Sequence, residues 1–517
     1  MPTTILNSEK IAGENISAAP PDFSHPWLAD RGDGTFCNPI IYADYSDPDV
    51  VRVGDDFYLV ASSFNCTPGL PILHSKDLVN WTLIGHALKN LPHPRYEKVQ
   101  PGCGVWAPAI RFHAGKYWIF YPTPDEGIFL VTANHPVGPW SEPHCVQAGK
   151  GLIDPCPLWD DDGKAYLVHA YAGSRAGIKH RLRVRPMATD GSRLLGEGEI
   201  VFHQPEKHPT LEGPKFLKKD GWYYILAPAG GVETGWQLAL RSRNIYGPYE
   251  EKIVLAQGGT DINGPHQGAL VDTPDDGWWF LHFQDVGLYG RIVHLQPVEW
   301  RDGWPMMGKN GEPVQRLAKP INIRDQKSFA PQTSDEFDTR ELGLPWQWHA
   351  NHRDDWHSLA ARPGWLRLYP QPANVSLNEQ PNLLLQKFPA RSFAVETLLD
   401  FSPAQDGEEA GLVIAGLSSA ALALRRMSQG NELSLKIDGI EKFNRTGLSG
   451  KIRLRITVRD GGKCEFSFAD ASEFVSVPET FQATKGKWIG AKLGLYSIKT
   501  IVNAPAGYVD FSHFRFQ

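Results

Sequence analysis

Residues 46–60 read SDPDVVRVGDDFYLV: a proline near the start, a polar turn with Gly and Asp, and then an aromatic and aliphatic run. Four later segments repeat this pattern, and they lie at residues 106–120, 153–168, 212–225 and 264–281. The prolines near their starts stand at positions 48, 108, 155, 214 and 265, so successive spacings run from 47 to 60 residues. Repeats of about this length with several strands each are typical of propeller blades. The sequence therefore predicts a five-bladed β-propeller.

The rest of the chain divides around this repeat. Residues 1–34 are rich in Ser, Ala, Pro and Gly, which is typical of an extended N-terminal arm. We assign residues 35–325 to the propeller. From residue 334 to 517 short alternating apolar runs continue without the repeat motif, which predicts one antiparallel β-sandwich of the jelly-roll or concanavalin-like kind. Because long helical periodicities are missing, the expected fold class is all-β.

Composition excludes several classes of partner. A net charge of −6 gives no electrostatic reason to expect nucleic acid or an anionic membrane surface as a partner. The sequence contains no run of 18 apolar residues and no apolar stretch near residue 1 that would resemble a secretory signal. We therefore expect a cytoplasmic protein. No motif points to an organic cofactor, and the sequence does not indicate an oligomeric state.

Three of the repeats carry an acidic residue just ahead of the proline. These residues are Asp47, Asp154 and Glu212. Equivalent positions of propeller blades converge on the central channel, so the three carboxyl groups should face one pocket. An Asp before Pro can also simply cap a turn. Three crowded acids, however, raise one another's pKa, and such clusters are typical of proton chemistry.

Glycoside hydrolysis is the reaction that most naturally uses such a set. One protonated carboxyl donates a proton to the leaving oxygen, and one carboxylate activates water from the opposite face of the sugar. A third acid can raise the pKa of the donor and hold it in place.

These segments resemble glycoside hydrolase family 43. The residues that carry the resemblance are Ser46-Asp47-Pro48-Asp49, Ser75-Lys76-Asp77-Leu78-Val79-Asn80-Trp81, Val105-Trp106-Ala107-Pro108, Asp154-Pro155 and Glu212-Gly213-Pro214. The resemblance implies a five-bladed propeller and an inverting mechanism. It also implies that Asp47 is the general base, Asp154 the residue that adjusts the pKa of the acid, and Glu212 the general acid.

The resemblance implies roles for four further residues. Arg291 matches an arginine that contacts substrate hydroxyls, although a structural salt bridge is an alternative. Trp106 and Phe64 match walls of the pocket for the terminal sugar, and core packing is their alternative. His266 matches a histidine that faces a metal ion in the channel, so the resemblance implies a calcium ion there. Hard cations prefer oxygen ligands, and a hydrogen-bonded core histidine is the alternative.

The second domain resembles that of the β-xylosidase branch of the family, where a sandwich loop helps to close the pocket. The segment 503–507 is our candidate for this loop. A closed pocket favours exo action on chain ends. We therefore expect an exo-acting inverting glycosidase that releases xylose from β-1,4-xylooligosaccharides and arabinose from α-L-arabinofuranosides.

Three alternatives remain open at this point. The first is a pure α-L-arabinofuranosidase or an endo-arabinanase. The second is a fructan-hydrolysing enzyme of similar plan, but its Arg-Asp-Pro and Glu-Cys motifs are missing from this sequence. The third is a non-catalytic sugar-binding propeller, which would be expected to have lost at least one of the three acids.

Overall fold

The computed structural model describes residues 22–373, 376–471, 473–501, 503 and 505–517. Most of the predicted arm, residues 1–21, lies outside the described residues. The described part is almost entirely β-structure, with one short helix, α1 (Gly173–Ala176), and four 3₁₀ turns at Pro94–Glu97, Gly287–Tyr289, Asp354–Trp356 and Leu377–Glu379. None of its helices is long and apolar enough to cross a membrane.

The predicted five-bladed propeller is confirmed. A short strand, β1 (Thr35–Cys37), precedes five sheets of four consecutive antiparallel strands each. The blade strands are β2 (Asp49–Val53), β3 (Asp56–Val60), β4 (Gly69–Ser75) and β5 (Thr82–Leu88); β6 (Ala109–His113), β7 (Lys116–Thr123), β8 (Gly127–Ala133) and β9 (His144–Ala148); β10 (Leu152–Trp159), β11 (Ala165–Tyr171), β12 (Leu182–Met187) and β13 (Glu199–Phe202); β14 (Lys215–Lys219), β15 (Trp222–Ala229), β16 (Trp236–Ser242) and β17 (Glu250–Ala256); β18 (His266–Asp272), β19 (Trp278–Asp285), β20 (Arg291–Arg301) and β21 (Trp304–Met307).

The polar turn of each repeat joins the first two strands of its blade. Between β14 and β15 the turn is Asp220-Gly221, with φ of 51° and 71°. Between β6 and β7 it is Ala114-Gly115, with φ of 49° and 75°. Two-residue hairpins with both φ values positive match the right-handed twist of the flanking strands. The repeated turn therefore fixes the register of the hairpin that begins each of these blades.

The chain closes the propeller by bringing its first and last segments together. Strand β1 pairs antiparallel with β22 (Arg316–Ala318). The buried Asn38 side chain donates from Nδ2 to the carbonyls of Leu295 and Val314 at 2.8 and 2.7 Å, and its Oδ1 accepts from the Leu295 N–H at 2.8 Å. One side chain thus links the segment before the first blade to the last blade.

The predicted β-sandwich is also confirmed. Two eight-stranded sheets face each other, and every pairing is antiparallel except that of β26 with β36. The first sheet contains β23 (Gln347–Trp348), β26 (Gln371–Pro372), β27 (Leu384–Lys387), β29 (Glu408–Ala415), β30 (Ser419–Met427), β31 (Gly430–Ile437), β32 (Ile440–Leu448) and β36 (Lys492–Lys499). The second contains β24 (His357–Ser358), β25 (Leu366–Leu368), β28 (Phe393–Ser402), β33 (Lys451–Val458), β34 (Lys463–Ala469), β35 (Val475–Gln482), β37 (Tyr508–Phe511) and β38 (Arg515–Phe516).

The sandwich core continues into the propeller. Trp27, Tyr42 and Tyr289 on the propeller side belong to the same buried apolar cluster as Trp348 of the sandwich. Across this interface the backbones of Thr67 and Trp348 exchange hydrogen bonds of 3.0 and 2.6 Å. Because the apolar cluster and the backbone pairing both cross the boundary, the two domains form one packed body.

A buried cation supports the propeller closure. Lys319 Nζ lies 2.6 Å from Asp30 and 2.8 Å from Asp77, and all three residues are less than 10% exposed. The Asn80 amide donates to both carboxylates at 2.8 Å. Since Asp30 precedes the first blade and Lys319 follows the last, this cluster joins the two ends of the propeller chain.

Lys319→Met should therefore destabilise the propeller strongly. The substitution leaves two adjacent carboxylates buried without a cation, which costs about 3–5 kcal/mol in comparable buried pairs. We expect a marked drop in the urea midpoint of unfolding. Lys89→Met is the matched control, because Lys89 pairs with Asp354 at 3.0 Å on the surface and such exposed pairs contribute less than about 1 kcal/mol. Similar small losses in both variants would contradict a role in closure.

Candidate active site

A cavity of about 180 Å³ opens at the mouth of the propeller channel. The structure brings together six of the seven residues singled out in the sequence along the wall of this cavity. They are Asp47, Asp154, Glu212, Arg291, Trp106 and Phe64. The seventh, His266, lies behind the wall in contact with Glu212.

The two aspartates reach the cavity through an unusual backbone conformation. Asp47 and Asp154 both have φ of 55°, in the left-handed region that non-glycine residues rarely adopt. Each stands directly before a repeat proline, and each is 5% exposed. Strained backbone of this kind is concentrated at functional sites, where the surrounding structure holds it in place. The shared conformation explains how equivalent blade positions present their carboxyl groups to one point.

Asp47 is held by three donors. The hydroxyls of Ser62 and Ser46 donate to its Oδ2 at 2.5 and 2.8 Å, and Arg291 Nη1 lies 3.2 Å from its Oδ1. These contacts fix the orientation of the carboxylate. A group fixed in this way is suited to holding a water molecule in a defined position.

Asp154 lies in a different environment. Burial raises the pKa of the Asp154 carboxyl to about 8, and the negative charges of Glu212 and Asp47 act in the same direction. The Gly213 N–H donates to Asp154 Oδ2 at 2.7 Å and opposes this rise, as does the charge of Lys215. A carboxyl with a pKa raised in this way favours its protonated form at neutral pH.

His266 is fully buried, and its Nε2 lies 3.2 Å from Glu212 Oε1. Its Nδ1 has no hydrogen-bond partner among the described residues. Within the same described part, no group of three or more His, Cys, Asp or Glu side chains could hold a metal ion. One imidazole is a poor donor set for calcium, which takes six to eight oxygen ligands. One imidazole does not by itself form a calcium site, and the ion expected beside His266 stays a prediction.

Arg291 forms the salt bridge that was one of its two interpretations, and its contact with substrate hydroxyls stays a prediction. It forms a salt bridge with Asp47 and also donates from Nη1 to Ser46 Oγ at 2.7 Å. Its guanidinium carbon lies 4.7 Å from the centre of the Phe283 ring. At the same time Arg291 lines the cavity, so it can fix the aspartate and still face a bound sugar.

The two aromatic residues of the cavity wall, Phe64 and Trp106, differ in how deeply they are buried. Phe64 is 3% exposed and has φ of 51°. Its backbone exchanges two 2.9 Å hydrogen bonds with Val105, which places it beside Trp106. Trp106 is half-buried, its Nε1 donates to the Gly102 carbonyl at 3.1 Å, and the Arg175 guanidinium lies 5.2 Å from its ring centre.

Sequence reasoning missed several residues of the cavity wall, among them Gln267 and Trp488. Gln267 is 4% exposed, and its Nε2 has no partner in the described part of the chain. Its position directly after His266 in the fifth repeat was a signal that could have found it. Trp488 comes from the sandwich, between β35 and β36, where no motif marks it.

Trp488 lies outside the segment 503–507 that was expected to close the pocket. The segment 503–507 was our candidate, and residue 504 lies outside the described residues. Gly507 donates to Glu408 within the sandwich at 3.0 Å. Among the described residues, the sandwich residue that lines the cavity is Trp488, whose ring centre is 5.9 Å from the Arg291 guanidinium carbon. The role expected of residues 503–507 stays a prediction.

Comparison with known proteins agrees with this geometry. Residues 36–305 match the model of glycosyl hydrolases family 43, and residues 334–517 match the beta xylosidase C-terminal concanavalin A-like domain. A beta-xylosidase of Formosa agariphila is 33% identical, and the match covers 94% of this chain and 91% of that protein. A non-reducing end alpha-L-arabinofuranosidase of Bacteroides ovatus is 34% identical over 75% of each chain.

Solved structures show the same two-domain plan. The family 43 protein BlXynB of Bacillus licheniformis superposes with a TM-score of 0.83 at 26% identity, covering 93% of this chain and 99% of its own. The family match spans more than half of the chain, and its position coincides with the propeller that carries the three acids. The chain belongs to glycosyl hydrolases family 43 and is a glycosidase built from a five-bladed propeller and a concanavalin-like sandwich.

Proposed function

We propose that the protein is an exo-acting inverting glycoside hydrolase. It removes xylose from the non-reducing ends of β-1,4-xylooligosaccharides and arabinose from α-L-arabinofuranosides. The observation that carries this proposal is the convergence of Asp47, Asp154 and Glu212 on one cavity of which Trp488 forms a further wall. The names of the two relatives, a beta-xylosidase and an alpha-L-arabinofuranosidase, support the choice of pentose substrates.

The proposed reaction gives the base and the acid to different residues of the cavity. Asp47 takes a proton from a water molecule, whose oxygen forms a bond to the anomeric carbon as the bond to the leaving oxygen breaks. Glu212 gives its proton to that leaving oxygen. The donors on Asp47 hold the base in place. Asp154, whose own pKa burial raises, is the neighbouring acid that adjusts the proton donor.

His266 and Arg291 position these groups. In the proposed arrangement His266 donates from Nε2 to Glu212 Oε1, the 3.2 Å contact, and so orients the acid. Arg291 holds Asp47 and offers its remaining N–H groups to sugar hydroxyls.

The shape of the cavity supports exo action. Trp488 of the sandwich lines the cavity together with the propeller residues Trp106 and Phe64, so both domains enclose the site. An endo-arabinanase needs an open cleft through which a chain can pass in both directions, and the sandwich wall speaks against that alternative. A pure α-L-arabinofuranosidase remains the second candidate, supported by the name of the Bacteroides ovatus relative. The non-catalytic alternative is disfavoured because all three acids line the cavity.

The stereochemistry of the first product tests the proposed reaction. With a β-xyloside as substrate, an inverting enzyme releases α-xylose first, because water attacks from the face opposite to the leaving group. Proton NMR of the first minutes of hydrolysis resolves the two anomers. Early appearance of β-xylose would contradict the inverting assignment. Rates on 4-nitrophenyl β-D-xylopyranoside and 4-nitrophenyl α-L-arabinofuranoside then distinguish a dual enzyme from a pure arabinofuranosidase.

Glu212→Ala should separate substrates by their leaving groups. On xylobiose, whose leaving oxygen needs a proton, we expect kcat to fall about 10²- to 10⁴-fold. On the nitrophenyl xyloside the loss should be much smaller, because nitrophenolate leaves without protonation. Glu233→Ala is the control, since this exposed carboxylate lies next to the cavity residue Val232 and should leave both rates unchanged. Equal losses of activity on both substrates in the Glu212→Ala variant would contradict the assignment of Glu212 as the general acid.

Asp154→Asn should stabilise the folded protein relative to the wild type, and this gain in stability should depend on pH. The pKa of Asp154 rises from 3.8 to about 8 in the folded protein. Between these values the folded state holds a proton that the unfolded state has released, so wild-type stability falls as pH rises from about 4 to about 8. Asparagine removes this loss and keeps an oxygen for the Gly213 N–H.

The measurement for this variant is the difference in Tm between it and the wild type. We expect the difference to be near zero at pH 4 and to favour the variant increasingly up to pH 8. A difference that does not change across this range would show that Asp154 is not the group with the raised pKa.

A further inference from the structure

The residue Trp488 belongs to a sandwich segment that reaches onto the propeller. We call residues 484–490, between β35 and β36, the cap segment. The Gly486 N–H donates to the Ile489 carbonyl at 2.9 Å, which closes the segment on itself, and Trp488 sits at its tip with φ of 66°. Trp488 is 42% exposed. The indole lies against the propeller backbone at Gly102, where an added Cβ would be 3.0 Å from its Cδ1. Because much of the ring is still exposed, its position also depends on how the cap segment is attached.

Within the sandwich, the cap segment is attached through the Lys485 carbonyl and Thr484 Oγ1, which accept from the Leu417 and Ser418 N–H groups at 2.9 Å each. Its polar attachment to the propeller is a buried carboxylate, Asp44. Its Oδ2 accepts the Gly490 N–H at 2.9 Å, at the end of the cap segment. Its Oδ1 accepts the Arg291 N–H, also at 2.9 Å. Asp44 is 5% exposed. Both oxygens of one carboxylate are thus used to hold two backbone positions, one in each domain.

The fit around this carboxylate leaves no free space. A Cβ at Gly290 would lie 2.4 Å from Asp44 Cγ, and a Cβ at Gly490 would lie 2.7 Å from the Gly290 nitrogen. Gly290 also has φ of 76°, which favours glycine. Glycine is required at both places so that the two backbones can approach the carboxylate. The contact is therefore built as a unit from three positions that lie far apart in the chain.

The two backbone groups that Asp44 accepts from, the N–H groups of Arg291 and Gly490, belong to segments that each supply a residue of the cavity wall. From the first, the Arg291 side chain reaches Asp47 at 3.2 Å. From the second, the chain continues to Trp488, two residues before Gly490. The guanidinium carbon of Arg291 lies between the Phe283 and Trp488 rings, at 4.7 and 5.9 Å from their centres. One carboxylate consequently sets the position of the indole relative to the arginine.

We propose that Asp44 is a positioning residue that, through Trp488, sets the preference of the enzyme for xylopyranosides over arabinofuranosides. The inference rests on the proposed function. A xylopyranose ring is rigid and presents a flat C–H face, so it benefits from an indole held in one place. An arabinofuranose ring is more flexible and carries an exocyclic arm, so it gains less from a fixed wall. Loosening the cap segment should therefore penalise the xyloside more.

Asp44→Asn tests this proposal. Asparagine keeps the size of the side chain, but its NH₂ group faces one of the two N–H donors, so one charge-assisted hydrogen bond is lost. We expect kcat/KM on 4-nitrophenyl β-D-xylopyranoside to fall about 10-fold or more, mainly through KM, and less than about 3-fold on the arabinofuranoside. Amide hydrogen exchange of residues 484–490 should become faster in the same variant.

A double-mutant cycle shows whether Asp44 acts through the indole. Trp488→Ala alone should shift the ratio of the two kcat/KM values in the same direction. Adding Asp44→Asn to Trp488→Ala should then cost little on the xyloside, because the wall that Asp44 positions is already gone. Additive losses would mean that Asp44 acts independently of Trp488 and would overturn the proposal.

Glu408→Gln is the matched control. Glu408 is 1% exposed and accepts the Gly507 N–H at 3.0 and 3.1 Å, so the variant weakens a comparable buried contact within the sandwich. It should leave the substrate ratio unchanged even if Tm falls. If Asp44→Asn does not fold, Asp44→Ser takes its place, because the smaller side chain fits the same space and its single hydroxyl oxygen cannot hold both N–H donors, and the same shift in ratio is expected.

The outcomes separate this inference from the proposed function. If the wild-type protein cleaves neither pentoside, the proposed function itself is contradicted. A wild type active on both, with a folded Asp44→Asn variant whose substrate ratio is unchanged, would overturn only the role given to Asp44. A lowered ratio that Trp488→Ala reproduces and Glu408→Gln does not would support it.

Discussion

Repulsion between buried carboxyl groups is the constraint around which this active site is arranged. The propeller brings three acids to one end of its channel, where burial alone already raises the pKa of Asp154. Groups around the acids divide the charge unevenly: Arg291 contacts Asp47, His266 contacts Glu212, and the Gly213 N–H contacts Asp154. Unequal environments of this kind are what the proposed reaction needs, since one carboxyl acts as base and another as acid.

This arrangement requires a strained backbone conformation at two of the acids. Contacts between the blades hold that conformation in place. Asp47 and Asp154 both adopt the same left-handed φ ahead of a proline. Below them, Lys215 donates to the Pro108 carbonyl at 2.6 Å and lies 3.7 Å from the buried Asp49, so a second polar layer supports the acids from the channel side. Strain at the site is thus compensated by contacts between neighbouring blades.

Much of this organisation could be predicted from the sequence because it repeats. The turn Asp220-Gly221 has a counterpart at the same place in other repeats, and so does Asp154. Local patterns therefore indicated both the blades and the acids. Trp488 could not be found in this way. It lies in an irregular segment almost two hundred residues after Arg291, and only the packing of two domains brings them together. Asp44 was missed for a related reason, since its partners are backbone groups that no motif marks.

The apolar cluster shared by Trp27, Tyr289 and Trp348 has a consequence for how such proteins can diversify. The sandwich is not an independent module on a linker, because its core and the core beneath the active site are continuous. A recombination event that exchanged the sandwich for that of a relative would import a foreign surface against the propeller and a foreign wall for the sugar together. Inheritance of the two domains as one unit is therefore favoured, and new specificities are more accessible through changes at their seam than through exchange of whole domains.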